Sequence, residues 1–374
     1  MTLLLEKGPD IRNELAGQPL RRYRNSLQAA SAEGHEIAVH LLIEKGVKVN
    51  SDALSVASYR GHQGVVKFLL DQGADVNAQA GIYGTALHAA AERSHGDIVH
   101  MLLENGAEIN LTSGGFTPLH AASSRSDKRV VQLLLERGAD ANAGTQFDGK
   151  HGNMLQAASA WGFDALVRLL IDNGADVNSK DKSNTNALQV ASYRGHEGVV
   201  RLLLERGAEV NEGDGEYGSA LQAAAGQGHD PIVHLLFNKG ADVNLKDKKN
   251  SSALHTASDR NEGDMVALLL ERGADVNAVD EEYGSALQAA SARGYEPIVR
   301  LLLDNGADVN LKDESNTNGL QAASYWGHED VARLLLERGA DVNAEAGEYG
   351  TALAVASAEG YTDIVRLLTE KGAV

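Results

Sequence analysis

The chain has no cysteine, which removes disulfides, thiolate zinc sites and cysteine nucleophiles together. No apolar run approaches the roughly 20 residues that span a bilayer, and Met1-Thr2-Leu3-Leu4-Leu5 is too short for a signal peptide. The expected compartment is therefore intracellular, the cytoplasm with the nucleus left open. Positive charge is scarce: 34 Lys and Arg stand against 52 Asp and Glu, a net charge of −18. Duplex phosphates want a basic face, so nucleic acid is not the expected partner. The acidic surplus serves solubility, or it attracts a basic protein. Also missing are a nucleophile–base–orienter set, a metal-ligand cluster and a phosphate loop. The one GxGxxG, Gly213 to Gly218, follows Val210-Asn211-Glu212 instead of a buried strand, and Asp214 and Glu216 would repel a pyrophosphate. No cofactor, metal or catalytic residue is expected.

What the chain does have is a period. A leucine opens each copy at Leu27, Leu54, Leu87, Leu119, Leu155, Leu188, Leu221, Leu254, Leu287, Leu320 and Leu353, and from Leu155 onward every step is 33 residues. A fixed period of that size means a stack of like supersecondary units, and it overrides the two or three domains that 374 residues would otherwise suggest. In the copy at Ser285, that serine is placed to cap a short Ala-rich helix interrupted by Gly294. Pro297 sits in the first turn of a second helix with Ile298, Val299, Leu301, Leu302 and Leu303 as its apolar face, and Gly306 ends it. Ala307-Asp308-Val309-Asn310 then begins an extended turn. Such a pair cannot bury its own stripe, so stability comes from stacking on neighbours.

Phe116-Thr117-Pro118-Leu119-His120-Ala121-Ala122 with Leu133-Leu134-Leu135-Glu136-Arg137-Gly138-Ala139-Asp140 closely resembles the ankyrin-repeat consensus, over nearly the whole chain. The resemblance implies an all-α solenoid with β-turn fingers, about eleven helix pairs in one elongated domain over residues 27–374. Residues 1–26 form a partial repeat and an N-terminal cap segment. The family's general use, binding a protein or peptide partner, is the implied function. The Tyr-Gly-Ser/Thr-Ala-Leu variant at Tyr217, Tyr283 and Tyr349 is similar to fungal ankyrin arrays, which often follow a NACHT-type nucleotide-binding module that is absent here.

Departures from the period are where function is sought. The first unit lacks its front half, and the segment Pro9 to Asn25 carries Arg21, Arg22 and Arg24 around Tyr23. The last unit has no polar cap beyond Thr369. Truncation or self-association through uncapped ends is expected from both. About six residues are missing between Asn50 and Leu54, the Leu87–Leu119 step is 32, and the Leu119–Leu155 step is 36. The last makes an enlarged finger over Ala143 to Asn153 bearing Phe147, Lys150 and His151.

Two positions ending each first helix face the inner groove in this family. They hold Tyr59, Arg60, Arg93, Arg125, Trp161, Tyr193, Arg194, Arg260, Arg293, Tyr325 and Trp326, including both tryptophans of the chain. Trp, Tyr and Arg anchor interfaces because they bring area with few rotors. Together with Phe147 these are the candidate partner-binding residues, against the alternative that the rings pad neighbouring units. A groove near His120, Asp127, His151 and Trp161, closed around a small molecule or substrate, is the competing reading. A spacer or sensor arm of a larger receptor is another. Gly-His recurs at His35, His62, His196, His229 and His328, and the resemblance gives these rings a structural role. Units about 8–10 Å apart cannot present successive rings to one ion with bonds of about 2.1 Å. His88, His120 and His255 exchange with Gln28, Gln156, Gln189, Gln222, Gln288 and Gln321, which implies hydrogen bonding in place of acid–base work.

Overall fold

The computed structural model describes residues 25–80, 83–123, 128–147, 150–281, 284–345 and 350–374, with backbone alone at 145–147, 150 and 151. The expected N-terminal partial repeat, with Arg21, Arg22, Tyr23 and Arg24, lies outside these. The chain divides into two compact units, Met1–Ala158 with Phe163–Asp176 and Ser159–Gly162 with Val177–Val374. Through the first run α1 Ser26–Ala32, α2 Glu36–Glu44, α3 Ser51–Arg60, α4 Gln63–Asp71, α5 Ala86–Glu92, α6 Gly96–Glu104, α7 Pro118–Ser123 and α8 Lys128–Glu136. A hairpin, β1 Gly144–Phe147 and β2 Lys150–Asn153, leads to α9 Met154–Ala160 and α10 Asp164–Asp172. The second holds α11 Ala187–Arg194, α12 Glu197–Glu205, α13 Ala220–Ala225, α14 Asp230–Asn238, α15 Ala253–Asp259 and α16 Gly263–Glu271. After the short pair β3 Val279–Asp280 and β4 Gly284–Ser285 come α17 Ala286–Arg293, α18 Glu296–Asp304, α19 Gly319–Trp326, α20 Glu329–Glu337, α21 Ala352–Glu359 and α22 Thr362–Glu370. The described residues thus hold the expected eleven pairs of an all-α repeat solenoid.

The copy that opens at Ser285 shows why the pattern folds this way. Ser285 Oγ accepts the Gln288 N–H at 3.3 Å, and Gln288 Oε1 accepts the Ser285 N–H at 2.7 Å, a reciprocal capping box. The remaining amide N–H of Gln288 donates to the Thr317 carbonyl in the following finger at 2.6 Å. One side chain therefore starts its own helix and docks the next unit. In α18, Pro297 lies in the first turn, Ile298, Val299 and Leu302 are buried, and Gly306 follows the helix at φ 88°. That left-handed position is open to glycine without a Cβ penalty.

A second tie repeats at the finger bases. The Asn244 amide donates to the Gly273 carbonyl at 3.1 Å, while its oxygen accepts the Asp275 N–H at 2.8 Å. Asn77, Asn142, Asn178, Asn211, Asn277 and Asn310 make the same two bonds to the unit ahead. Where about six finger residues are missing, the equivalent Asn50 instead caps α3, accepting the Ala53 N–H at 2.9 Å. The enlarged finger is a β-hairpin, with Gly144 opposite Asn153 and Phe147 opposite Lys150. In the Lys-Asp fingers the aspartate holds the turn and the lysine reaches forward. The Asp181 carboxylate accepts the Ser183 and Thr185 N–H groups at 2.8 and 2.9 Å, Lys180 pairs with Glu212, and Lys312 Nζ donates to the Glu345 carbonyl at 2.9 Å.

First helices are built from alanine and serine, second helices from leucine, valine and isoleucine. The small residues let first helices approach closely, and within each unit they pack against one another far more extensively than the second helices do. One small residue is out of place. Gly319 starts α19 where Ala187, Ala220, Ala253 and Ala286 start theirs. A Cβ there would meet only Ser291 Oγ at 3.1 Å, an atom without a bonding partner and able to rotate, and Leu335 Cδ1 at 3.7 Å. Gly319→Ala is expected to stabilise the chain by about 0.5–1 kcal/mol, chiefly by restricting the unfolded state. A lower urea midpoint for the variant would refute this.

Candidate interaction surface

The two residues at the end of each first helix recur at one position per repeat, and their exposure distinguishes them. In the first unit Tyr59 is half-buried. Its ring centre lies 4.7 Å from that of Tyr83, in the following finger, and the Arg93 guanidinium lies over the Tyr59 ring, 4.1 Å from its centre. Arg93 Nη2 also donates to the Tyr59 hydroxyl. Arg60 is exposed. Arg125 and the Phe147 side chain lie outside the described residues, as do Asp127 and the His151 side chain.

In the second unit Trp161 is 43% exposed and Trp326 58%. Both indoles are therefore partly open to solvent. Tyr193 is half-buried and stacks on Tyr217 of the next finger, centroids 4.3 Å apart and planes 21° from parallel. Tyr325 is exposed, edge-on to Trp326 at 5.1 Å. Arg194 and Arg260 are exposed, and the exposed Arg293 donates through Nε to Asp259 Oδ1 at 2.8 Å. The tyrosines thus differ in their surroundings: Tyr59 and Tyr193 meet the finger tyrosines Tyr83 and Tyr217, and Tyr325 meets Trp326. The finger tyrosines Tyr83 and Tyr217 were absent from the sequence-based set. The signal was there, because each Tyr-Gly falls 24 residues after the helix-end tyrosine it meets.

The histidines are engaged with backbone. His62, His95, His196, His229 and His328 each place Nε2 2.9–3.2 Å from a carbonyl of the preceding unit. The rings of His62, His196, His229 and His328 also lie over the glycine that ends the preceding first helix. His88 Nε2 donates to the Phe116 carbonyl at 2.8 Å, and His255 Nε2 meets the Ala278 and Gly284 carbonyls at 3.0 Å each. These are the contacts that glutamine makes elsewhere. Burial pushes the pKa of His88 and of His255 down, and that of His120 to about 4. The His120 ring is 5% exposed, with Nδ1 accepting the Thr117 N–H at 3.0 Å. Gly213 to Gly218 lies in a finger, with Gly215 bridged to Gly218. Among the described residues no group of three or more His, Asp or Glu is arranged to hold a metal ion. An open notch in the first unit is lined by Lys128, Val131 and the residues from Phe163 to Leu166, and contains no histidine.

Capped helix pairs joined by ladders of asparagine and glutamine, with aromatic and basic side chains along the first-helix ends, define a repeat-built solenoid. Family comparison agrees: a model described as "Ankyrin repeats (3 copies)" matches residues 1–80, 81–145, 145–214, 212–280, 254–346 and 287–374. The chain belongs to the ankyrin-repeat family, whose members generally bind protein partners. It is similar to the crystal structure of the human ASB11 ankyrin repeat domain, with a TM-score of 0.53 and 24% identity over 59% of this chain and 99% of that one. That likeness is one of fold. No curated protein matches the chain. No helix among the described residues is long and apolar enough to cross a membrane.

Proposed function

We propose that this chain is a non-catalytic binding module that holds a protein or peptide along the first-helix side, with Trp161, Tyr193, Tyr325 and Trp326 as anchors. The observation that carries the reading is that both tryptophans are exposed and share one row of first-helix ends with Arg194, Arg260 and Arg293. Large apolar rings left in water are costly to keep and gain most when a partner covers them. The row also suits recognition because its positions are set by helix ends instead of mobile loops. The test is affinity capture with Trp161→Ala/Tyr193→Ala beside Lys312→Ala. Loss of hot-spot rings typically costs about 2 kcal/mol or more, roughly thirty-fold in affinity. The aromatic pair is expected to lose its partner by that factor while Lys312→Ala keeps it. Equal retention by both would refute the reading.

A further inference from the structure

We infer that the occupant of the second unit's row is one acidic polypeptide segment lying lengthwise, extended, with a large apolar side chain against each aromatic end. This rests on the binding reading above and adds the partner's charge, direction and length. The ends are Trp161 with the Tyr193–Tyr217 stack, and Tyr325 with Trp326. Between them the row is basic: Arg194, Arg260 and Arg293 against a single carboxylate, Asp259, already paired with Arg293. In a chain of net charge −18, three arginines beside one carboxylate complement an acidic segment better than a basic one.

The middle carries no ring to compete with the Arg260 guanidinium. Gly226 stands where the neighbouring unit has Tyr193, and a Cβ there would strike Thr256 Cγ2 at 2.4 Å and crowd Arg260 Cδ at 3.4 Å. The glycine thus makes room chiefly for the Thr256 methyl, and the Arg260 stem passes beside it between the aromatic ends. Length follows from the repeat. Trp161 and Trp326 are five repeats apart, about 40–50 Å at the usual interhelical spacing of 8–10 Å. An extended chain covers that in roughly 12–16 residues at about 3.1–3.4 Å each. A shorter ligand reaches one end only.

The two tryptophans are the chain's only ones and report the two ends separately, through Trp161→Phe and Trp326→Phe variants of the whole chain. The probe is a peptide rod of about twelve alternating Glu and Pro residues, flanked at each end by Leu and Phe. Polyproline geometry makes the whole about 50 Å long. Controls replace Glu by Lys, or shorten the rod to about four residues. The long acidic rod is expected to shift the emission of both reporters with one shared dissociation constant, at least ten-fold tighter than the short rod. The Lys rod should shift neither, and Arg260→Glu should weaken the long acidic rod about ten-fold. Response at one tryptophan only, equal affinity for the short or Lys rod, or no response to the acidic rod would overturn the inference. If no rod binds while Trp161→Ala/Tyr193→Ala still loses its captured partner, this inference fails and the binding reading stands.

Discussion

Replacing His88, His120 and His255 together by glutamine will flatten the chain's loss of stability between about pH 6.5 and pH 4 while leaving stability at pH 7 nearly unchanged. The three rings are buried, and each keeps Nδ1 toward its own N-cap hydroxyl at 2.8, 2.6 and 2.8 Å. For His88 and His255, a carbonyl opposite Nε2 fixes the proton on that nitrogen, because a carbonyl only accepts. A second proton would sit on Nδ1, facing the N-cap N–H, which donates to it in His120 and His255. Burial is the main cause of the lowered pKa values. The Phe116 carbonyl opposes it at His88, and Asp280 with the Ala278 and Gly284 carbonyls opposes it at His255, where Lys246 adds to the lowering. At His120 the Ala143 carbonyl and Asp140 oppose, and His88 adds to the lowering.

The sign follows from where protons bind. The unfolded chain takes up protons near pH 6.5 and the fold resists, so stability is whole above 6.5 and is lost as pH falls toward the folded value. For His120, with a folded pKa of about 4, the gap corresponds to about 3 kcal/mol. Glutamine already fills the same position at Gln189, Gln222, Gln288 and Gln321 with equivalent bonds, so the variant should remain folded. Urea midpoints of parent and variant across this range make the comparison. Parallel curves would show that these rings are not the source of the acid sensitivity.

Gly195→Val is expected to cost about 2–4 kcal/mol, the sum of left-handed backbone strain in a β-branched residue and a lost hydrogen bond. Gly195 ends α11 at φ 79°, and a Cβ would stand 2.7 Å from His229 Cε1. The ring must then leave, and with it the bond from His229 Nε2 to the Tyr193 carbonyl. Gly306→Val separates the two effects. Its φ is 88°, but nothing lies within 4 Å of a new Cβ, so only the strain remains, about 1–2 kcal/mol. Hydrogen exchange should show protection lost across α11 to α14 in the first variant and only around the end of α18 in the second. Equal costs at the two sites would mean that the ring over the glycine contributes nothing.

The repeat made most of the architecture legible before any coordinates. Ser285, Gly294, Pro297 and Gly306 were readable because each holds a backbone position that few residues can fill. The exchange of His with Gln announced a shared hydrogen-bonding role for the same reason. Less legible was the direction of each bond. No local pattern says that Asn244 reaches Gly273 or that Gln288 reaches Thr317, since both contacts join residues 29 apart and depend on how units stack. The row of Tyr, Trp and Arg was legible as a row, but not the division within it. That Tyr193 stacks on Tyr217 depends on how the following finger folds back over the helix end, which no local pattern states.

The asparagine bridges carry a consequence for how such a chain changes length. Each one points the same way along the backbone, from a side-chain amide to main-chain groups of the glycine-ended helix that follows. Each of these joints therefore has unlike halves, a side-chain amide behind and a main-chain carbonyl and N–H ahead, and the same main-chain pair recurs from joint to joint. Recombination that removes or adds whole copies always rejoins matching halves, whereas a cut at any other length must be absorbed outside the joint. That rule fits the uninterrupted 33-residue stride after Leu155, and the one enlarged copy places its extra residues in a hairpin beyond Asn142, whose own bridge to Gly174 stays intact.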